Sequence, residues 1–398
     1  MKTRVMMPAA LSMIALAAAC AVAADWPNWR GSDHNGISTE TGWLAKWQAS
    51  KPVVLWKAKV GTGFSSIAVA DSRVYTMGYA ANRNGVYCFD AASGKELWMY
   101  SYAGDKGAKY YEGGPHATVA VDEGKVYAVS KWGQVFCLTG DEGKLLWQSD
   151  VAKEIKAETP TWAFGSSPIV MGKMLLINLG TSGVALDKTS GKMLWQSGSE
   201  CSGYATPVPY IDGDKKCLAI FGKGHLYGVD AQTGKKLWQQ PWQTEYDANI
   251  ADPIVTGDKI FISTGYNKGC ALVSIAGGQP KILWQNTSMR NHFNTSVLID
   301  GHVYGFDESR LTCVNLADGK SPWQKEGMGK GSLMAADGKL IVLSEDGKLV
   351  IAEAKATAYK ELLAVKILSG KCWTAPVLSG GRIYARNAEG DLVCAGSK

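Results

Sequence analysis

The chain has 398 residues, of which 46% are hydrophobic and 20% are charged. This composition supplies a large apolar core and excludes an intrinsically disordered chain. The formal net charge is +6, and Lys2 and Arg4 contribute two of those charges. Acidic and basic residues alternate in turn sequences such as Asp141-Glu142-Gly143-Lys144 without forming a basic cluster, which argues against nucleic acid as a partner.

Residues 1–24 have the pattern of a secretory signal peptide. A positively charged start precedes an apolar stretch from Met6 to Ala19, and Ala21-Val22-Ala23 forms a small-residue cleavage site. The stretch is too short for a transmembrane helix, so the mature chain is expected to be exported without a membrane span. Lipidation of Cys20 is the alternative, although Ala17 is a poor match to the bulky residue usual at that position of a lipoprotein signal.

An internal repeat follows, and it determines the fold prediction. Each unit has alternating apolar strands and then Asp-x-x-(Ser/Thr/Asp)-Gly-Lys-x-Leu-Trp, as in Asp230–Trp238. Alternation predicts strands, and the Gly-containing pairs predict turns between them. Six tryptophans close the units at spacings of 39 to 49 residues, enough for four short strands each: Trp98, Trp147, Trp195, Trp238, Trp284 and Trp323.

The two ends of the chain predict how the repeats close. A seventh unit ends on Glu361-Leu362-Leu363 without its tryptophan, and an eighth stops at Cys394 before its last strand. The segment Val53–Lys57 carries a closing Leu-Trp with no repeat before it. We therefore predict an all-β, eight-bladed β-propeller of four-stranded blades, in which the N-terminal strand closes the last blade. The expected organisation is a signal peptide (1–24), an N-terminal leading segment (25–52) and the propeller (53–398).

The nine cysteines are predicted to be mostly free thiols. Cys88, Cys137, Cys313 and Cys394 fall at the same point of the repeat, which would place them in different blades as small buried hydrophobes. Disulfides remain the alternative for an exported protein.

The unit Val229–Trp238 resembles the tryptophan-docking motif of quinoprotein-type propellers, and the resemblance extends over the whole mature chain. The opening Asp25–Gly31 is similar to the start of exported PQQ-like repeat proteins, which resemble the propeller of outer-membrane protein assembly (BamB-like). The resemblance implies structural docking for the closing tryptophans, Trp56, Trp98, Trp147, Trp195, Trp238, Trp284 and Trp323. It also implies a non-catalytic binding or scaffold propeller in the periplasm or cell envelope, expected to be monomeric and without a cofactor.

A quinone-dependent alcohol dehydrogenase of reduced size is the alternative, and it would need PQQ and calcium. The chain has no adjacent cysteine pair and no Cys-x-x-Cys-His haem site, and Asp212-Gly213-Asp214 has the pattern of a hairpin turn rather than a metal site. No catalytic residue and no metal ligand are predicted. A polysaccharide-binding or sensory module is a third possibility, because fold does not determine function.

Candidate binding residues precede the innermost strands, where loops meet at one mouth of the central channel. His225 and His302 occupy equivalent turn positions in two repeats and are predicted to be structural, and His34 lies in the leading segment. Aromatic, amide and guanidinium groups at the mouth suit an envelope protein, a peptide or an extended polar ligand. The predicted binding residues are His116, Trp162, Phe164, Tyr204, Asn249, Arg290, Asn291 and His292, with Tyr110, Tyr111 and Thr161 nearby. Trp162 and Phe164 could instead simply fill the channel.

Overall fold

The structure, a computed structural model, describes residues 25–49 and 52–397. The predicted signal peptide and Cys20 lie outside the described residues. The described chain begins with a short strand, β1 (Ile37–Ser38), a helix, α1 (Trp43–Ala49), and a longer strand, β2 (Val53–Lys59).

Antiparallel strands then follow in sets of four. The first blade has β3 (Ala68–Ala70), β4 (Arg73–Ala80), β5 (Arg83–Asp90) and β6 (Glu96–Tyr102). The second has β7 (Ala120–Asp122), β8 (Lys125–Val129), β9 (Gln134–Thr139) and β10 (Leu145–Asp150), and then the helix α2 (Val151–Glu154). The third has β11 (Ile169–Met171), β12 (Met174–Ile177), β13 (Val184–Asp187) and β14 (Met193–Gln196). The fourth has β15 (Val208–Asp212), β16 (Lys215–Phe221), β17 (His225–Asp230) and β18 (Lys236–Pro241).

The second half of the ring repeats this order. The fifth blade has β19 (Ile254–Thr256), β20 (Lys259–Thr264), β21 (Gly269–Ser274) and β22 (Lys281–Asn286), with 3-10 turns at Glu245–Asp247 and Ala276–Gly278. The sixth has β23 (Val297–Ile299), β24 (His302–Asp307), β25 (Arg310–Asn315) and β26 (Trp323–Lys325). The seventh has β27 (Ser332–Ala336), β28 (Lys339–Leu343), β29 (Lys348–Glu353) and β30 (Glu361–Lys366). The eighth has β31 (Val377–Ser379), β32 (Arg382–Arg386) and β33 (Asp391–Gly396).

The eighth blade takes its outermost strand from the start of the chain. Strand β2 pairs antiparallel with β33, with Trp56 opposite Cys394. Lys59 also forms an ion pair with Asp391 at 2.5 Å. The predicted all-β, eight-bladed propeller and its N-terminal closure are confirmed. Closure pairs a strand edge that would otherwise be open to aggregation.

The hydrophobic core lies in layers between neighbouring blades. Tyr75 and Met77 of the first blade, for example, pack in one cluster with Phe136 and Leu138 of the second. All eight cysteines within residues 25–49 and 52–397 are buried free thiols, and burial raises the pKa of the Cys88 thiol to about 12. Thiols in this state behave as apolar filling.

Five of the closing tryptophans lie against a glycine in the turn of the following blade, namely Trp56, Trp98, Trp147, Trp195 and Trp284. The Trp98 indole Nε1 donates to the carbonyl oxygen of Gly140 at 3.0 Å, and a Cβ on Gly143 would lie 2.4 Å from the indole ring. Equivalent hydrogen bonds to backbone carbonyls of the next blade are made by Trp56, Trp147, Trp195, Trp284 and Trp323. Trp238 differs, because the glycines of the next blade's turn, Gly277 and Gly278, have nothing within 4 Å of an added Cβ, and the Trp238 Nε1 donates to the Tyr210 hydroxyl instead.

Residues 26–38, which we term the strap, cross the inside of the ring. Trp26 forms a bridge with Val69 of the first blade, and the carbonyl oxygen of Pro27 accepts from the Val121 amide of the second. At the other end of the strap, β1 pairs in parallel with β27 as a fifth, innermost strand of the seventh blade. The strap therefore obstructs the central channel.

Candidate binding site at the channel mouth

The mouth is built from residues at the same few positions of every repeat. Alignment of the innermost strands by their pairing brings two positions of each blade into register around the channel. The outer position, the mouth ring, is occupied by Phe64, His116, Gly165, Tyr204, Ile250, Phe293, Lys330 and Trp373. Two residues further on, an inner belt consists of Ser66, Thr118, Ser167, Thr206, Asp252, Thr295, Ser332 and Ala375.

Hydrogen bonds between blades hold the belt together. The backbone amide of each belt residue from Ser66 to Asp252 donates to the side-chain oxygen of the belt residue in the next blade. The successive acceptors are Thr118, Ser167, Thr206, Asp252 and Thr295, at 2.7 to 3.1 Å. The inner rim of the channel is therefore a preformed frame, which lowers the cost of ordering a binding site.

A cavity of about 280 Å³ opens above this belt. Aromatic rings form most of its wall, and they belong to Phe64, Tyr110, Tyr111, Trp162, Tyr204, Tyr266, Phe293 and Trp373. Trp29 of the strap lies at its base together with belt residues, so the cavity is closed below. Such a cavity presents an apolar wall and a polar floor.

The rings form an almost continuous aromatic collar. Neighbouring ring centroids lie 4.0 to 6.5 Å apart along the series Tyr204, Trp162, Tyr246, Tyr266, His292, Phe293, Trp373, Phe64, Tyr111 and His116. Gly165 is the gap, since a Cβ there would lie 3.6 Å from Tyr204 and 3.8 Å from His116. Aromatic pairs at these distances stabilise each other beyond the area they bury.

The strap is anchored at the base of the cavity by Asp252. Its carboxylate accepts from the Trp29 indole Nε1 at 2.6 Å and from the Thr206 amide, and Arg30 Nε lies 3.8 Å away. Burial raises the pKa of Asp252, against the opposing effect of Arg30, and burial lowers the pKa of Arg30 to about 10. Arg30 also donates to the carbonyl oxygen of Ser296 at 3.0 Å. These contacts hold the Trp29 ring in place as the floor.

His116 borders the cavity as a neutral group. Burial, with a smaller effect of nearby Lys131, lowers the pKa of its imidazole to about 3. Lys131 Nζ donates to the carbonyl oxygens of Lys106 and Gly107 and to the Tyr111 hydroxyl, and burial lowers its pKa to about 8. The lysine thereby fixes a wall tyrosine rather than charging the cavity.

Three of the eight predicted binding residues line the cavity, namely His116, Trp162 and Tyr204. Tyr110 and Tyr111, noted beside them, also line it. His292 belongs to the collar but stands behind the wall, where its Nδ1 contacts Glu308 at 3.2 Å.

The other four predicted binding residues support the mouth from behind the wall. Phe164 is buried in the core between the second and third blades. The buried Asn249 and Asn291 donate their amide groups to backbone carbonyls, those of Gly222, Lys223 and Trp242 and that of Phe306 respectively. Arg290 forms two hydrogen bonds with Asp307, at 2.5 and 2.9 Å. Each of these four side chains thus packs against, or hydrogen-bonds to, other residues of the propeller.

Sequence reasoning missed five aromatic residues of the wall and floor, Trp29, Phe64, Tyr266, Phe293 and Trp373, and all the polar residues of the floor. Phe64, Phe293 and Trp373 occupy the mouth-ring position, and aligning the repeats by their inner strands would have found them. Trp29 and Tyr266 come from the strap and from an outer turn, so only the tertiary structure places them at the mouth.

The residues present do not fit a quinone cofactor with a cation. Pyrroloquinoline quinone is a tricarboxylate, yet the only acidic or basic side chains among the lining residues are His116 and Asp252, and Asp252 is committed to Trp29 and Arg30. Across the part of the chain that the structure describes, no group of three or more His, Cys, Asp or Glu side chains is placed to hold a metal ion.

Comparison with known proteins gives two kinds of relative. A family model described as "Outer membrane protein assembly factor BamB" matches residues 82–325. The Escherichia coli K12 protein of that name is 27% identical over 363 residues, covering 74% of this chain and 87% of that protein. The 1-butanol dehydrogenase (quinone) of Thauera butanivorans is 25% identical over 209 residues, covering 47% of this chain and 33% of that enzyme.

Among solved structures, BamB from Moraxella catarrhalis superposes with a TM-score of 0.66 at 14% identity. The match covers 87% of this chain and 99% of that one. At this identity the similarity concerns the fold alone.

Proposed function

The chain belongs to the family of the outer membrane protein assembly factor BamB, and from this premise we propose that it is an exported, non-catalytic binding scaffold of the cell envelope. The observation that carries the proposal is the preformed aromatic cavity at the channel mouth. Tryptophan and tyrosine side chains are enriched among the residues that contribute most to protein–protein affinity, and pockets lined by aromatic side chains are typical binding sites.

The proposed partner is an envelope protein that inserts part of its chain into the mouth. Tyr110 and Tyr246 stand exposed at the rim, with 88% and 57% of their surface accessible, while the other wall residues are half-buried or, like Tyr204, buried. An exposed aromatic rim leading into a cavity with an aromatic wall suits a partner that covers the rim and buries one anchor side chain. In the described part of the chain no helix has the length and apolar character needed to cross a bilayer.

The partner contact can be tested by site-specific crosslinking in envelope extracts. A photoreactive phenylalanine analogue replaces Tyr110 at the rim, and in a control it replaces Ile211, which is 65% exposed beside the β15–β16 turn at the other end of the blade. We expect a discrete adduct from position 110 and none from position 211. The adduct should disappear when Trp162→Ala is added. An adduct that persists unchanged in the Trp162→Ala background would refute binding through the mouth.

A quinone-dependent dehydrogenase is the second candidate, because the likeness to the Thauera enzyme extends over 47% of the chain. Purified protein incubated with pyrroloquinoline quinone and calcium is assayed for dye reduction with a series of primary alcohols. We expect no reduction above the protein-free control, because the lining residues do not suit a tricarboxylate. Alcohol-dependent turnover would replace the scaffold proposal.

A further inference from the structure

The floor of the cavity carries hydroxyl groups whose hydrogen-bonding capacity the described residues do not fully use. Thr374 Oγ1 is buried at the cavity and has no hydrogen-bond partner among the described residues. The hydroxyl oxygens of Thr118, Ser167 and Thr206 each accept a backbone amide, but within residues 25–49 and 52–397 none of their hydroxyls donates to a protein acceptor. A buried polar group without a partner costs free energy, so this floor is suited to a ligand that supplies the missing hydrogen bonds.

One lining amide adds an acceptor to this set. Asn294 Nδ2 donates to the carbonyl oxygens of Gly331 and Trp373, which leaves its Oδ1 without a donor among the residues described. The polar groups lie at the floor, whereas the wall above them is formed mostly by uncharged aromatic rings. A complementary ligand is therefore apolar along its sides and polar at its tip.

The size of the cavity limits the ligand further. Pockets for drug-sized molecules have volumes of roughly 300 to 1,000 Å³. A cavity of about 280 Å³ lies just below that range and accommodates one ring system rather than a folded peptide segment.

The backbone at the mouth supports a built site. Tyr110, Ala163, Tyr246 and Tyr266 all have positive φ, at 64°, 64°, 64° and 53°. Non-glycine residues rarely adopt this conformation, and bulky ones least of all. Three of these residues are tyrosines and Ala163 directly follows Trp162, so aromatic side chains are placed around the opening at a cost in backbone strain.

We propose that the mouth cavity binds a single tyrosine side chain presented by an extended segment of the partner protein. The phenol ring packs within the aromatic collar, and its hydroxyl reaches the Thr374, Thr206 and Asn294 groups of the floor. The proposal rests on the proposed function, because it specifies what the scaffold recognises in its partner.

A sugar ring fits these groups less well. Its hydroxyls surround the whole circumference, so a sugar in this cavity would press hydroxyls against the aromatic wall without partners. A phenol places its one polar atom at the far end of an apolar ring, which matches the distribution of polar groups in the cavity.

Two substitutions probe the cavity without disturbing the fold. Thr374→Val keeps the side-chain shape and removes a hydroxyl that makes no internal hydrogen bond; Thr256→Val, in the β19–β20 hairpin, is its control. Gly165→Leu fills the gap in the collar, since the new Cβ would make only ordinary contacts with Tyr204 and His116. Gly224→Leu is its control, because that glycine is equally open but does not line the cavity.

The test measures equilibrium binding of the peptides Gly-Gly-Tyr-Gly-Gly, Gly-Gly-Phe-Gly-Gly and Gly-Gly-Leu-Gly-Gly, and of cellobiose, to the full chain by NMR titration. We expect the tyrosine peptide to bind about two- to tenfold more tightly than the phenylalanine peptide, the range of one hydrogen bond. Thr374→Val should reduce that preference. Gly165→Leu should weaken all three peptides at least about tenfold. Both control variants should bind like the unsubstituted protein.

Equal binding of tyrosine and phenylalanine peptides, or tighter binding of cellobiose, would overturn the tyrosine proposal. Failure of the scaffold proposal has a different signature, because the rim crosslink from position 110 would then be missing even though the tyrosine peptide binds. Conversely, the rim crosslink could be abolished by Gly165→Leu while the peptides show no preference for tyrosine. That result would support the scaffold proposal and refute the tyrosine proposal.

Discussion

Arg386 shows how one residue joins the two ends of the ring. Its guanidinium is fully buried between the eighth and first blades and donates to the carbonyl oxygens of Gly61, Ser65 and Met77 and to the Thr76 hydroxyl, at 2.5 to 3.3 Å. Burial lowers its pKa to about 9. These four oxygen atoms thus accept hydrogen bonds from the Arg386 guanidinium at the seam between the eighth and first blades.

Replacing Arg386 by methionine should therefore weaken the seam. The side-chain volume is largely kept, but buried carbonyls lose their donors, and each unsatisfied group costs roughly 1 to 3 kcal/mol. We expect Arg386→Met to lower the free energy of unfolding by about 3 kcal/mol or more, measured by urea denaturation. Arg83→Met, in an exposed hairpin, serves as the control and should change it by less than about 0.5 kcal/mol. Equal stability of the two variants would contradict this role.

His116 makes stability depend on pH in a defined window. The unfolded imidazole takes up a proton near pH 6.5, whereas the folded one resists protonation down to a pKa of about 3. Stability is therefore fully present above pH 6.5 and declines as the pH falls toward 3.

The prediction compares the protein with His116→Gln, which cannot titrate. Between pH 7 and pH 4.5, the unsubstituted protein should lose about 1 to 2 kcal/mol more unfolding free energy than the variant, because one pKa unit corresponds to about 1.4 kcal/mol and the imidazole borders an open cavity. Urea denaturation at the two pH values measures the difference. Parallel losses would show that His116 is not the titrating group.

Among the elements, the tryptophan of the outer strand connects its blade to the next in six of the eight blades, through an indole hydrogen bond to a backbone carbonyl. The two blades without such a hydrogen bond are those whose neighbouring blade differs at the turn between its third and fourth strands. Trp238 does not lie against the fifth-blade glycines Gly277 and Gly278, because an added Cβ at either would have nothing within 4 Å. Leu363 stands opposite Ile351 at the position that the tryptophan takes in other blades. The blade after Leu363 has no hairpin turn between its third and fourth strands, because β2 is its fourth strand. A tryptophan at position 363 would therefore have no turn to contact.

The docking turn can be tested with two glycines of positive φ. Gly143 (φ +67°) would place a Cβ 2.4 Å from the Trp98 ring, whereas Gly257 (φ +57°) has nothing within 4 Å of such a Cβ. Gly257→Ala should cost about 1 kcal/mol from backbone strain alone. Gly143→Ala should cost a further 1 to 3 kcal/mol, roughly, because the indole must move. Thermal unfolding with calorimetry gives the comparison, and equal costs would argue against tight docking.

At the scale of the whole molecule, ring closure and channel obstruction are separate tasks of the N-terminal region. Strand β2 closes the ring, and the strap fills its inside. Because the strap contacts the ring only along its inner surface, the ring should form without it.

Two truncations should separate these tasks. A chain starting at residue 50 keeps β2 and should remain folded and monomeric with a lower melting temperature, because only the strap and α1 are lost. A chain starting at residue 61 loses β2, leaves β33 unpaired and should aggregate or oligomerise. Size-exclusion chromatography and circular dichroism distinguish the two. A folded monomer from the shorter chain would refute closure by β2 as the condition for a stable ring.

The blade number, the four-stranded blades and the closing strand could all be predicted from the amino-acid sequence. These follow from the alternation of apolar and polar residues, from turn residues and from a motif that recurs at a regular spacing. Each copy of the motif therefore predicts the same local structure. The cavity was only partly predictable, because three of the eight chosen residues line it. Unusual residue types in the inner loops pointed to His116 and Trp162, but equally to Asn249 and Arg290, whose polar groups the scaffold itself uses.

The remaining features depend on contacts between residues that are far apart in the sequence. Trp29 reaches Asp252 across 223 residues of sequence, and Arg386 reaches Ser65 across 321. Contacts of this kind leave no periodic signal, since they depend on which blades the ring brings together. The floor, the collar and the seam therefore form only when the ring closes, whereas the blades could be predicted from the sequence repeat.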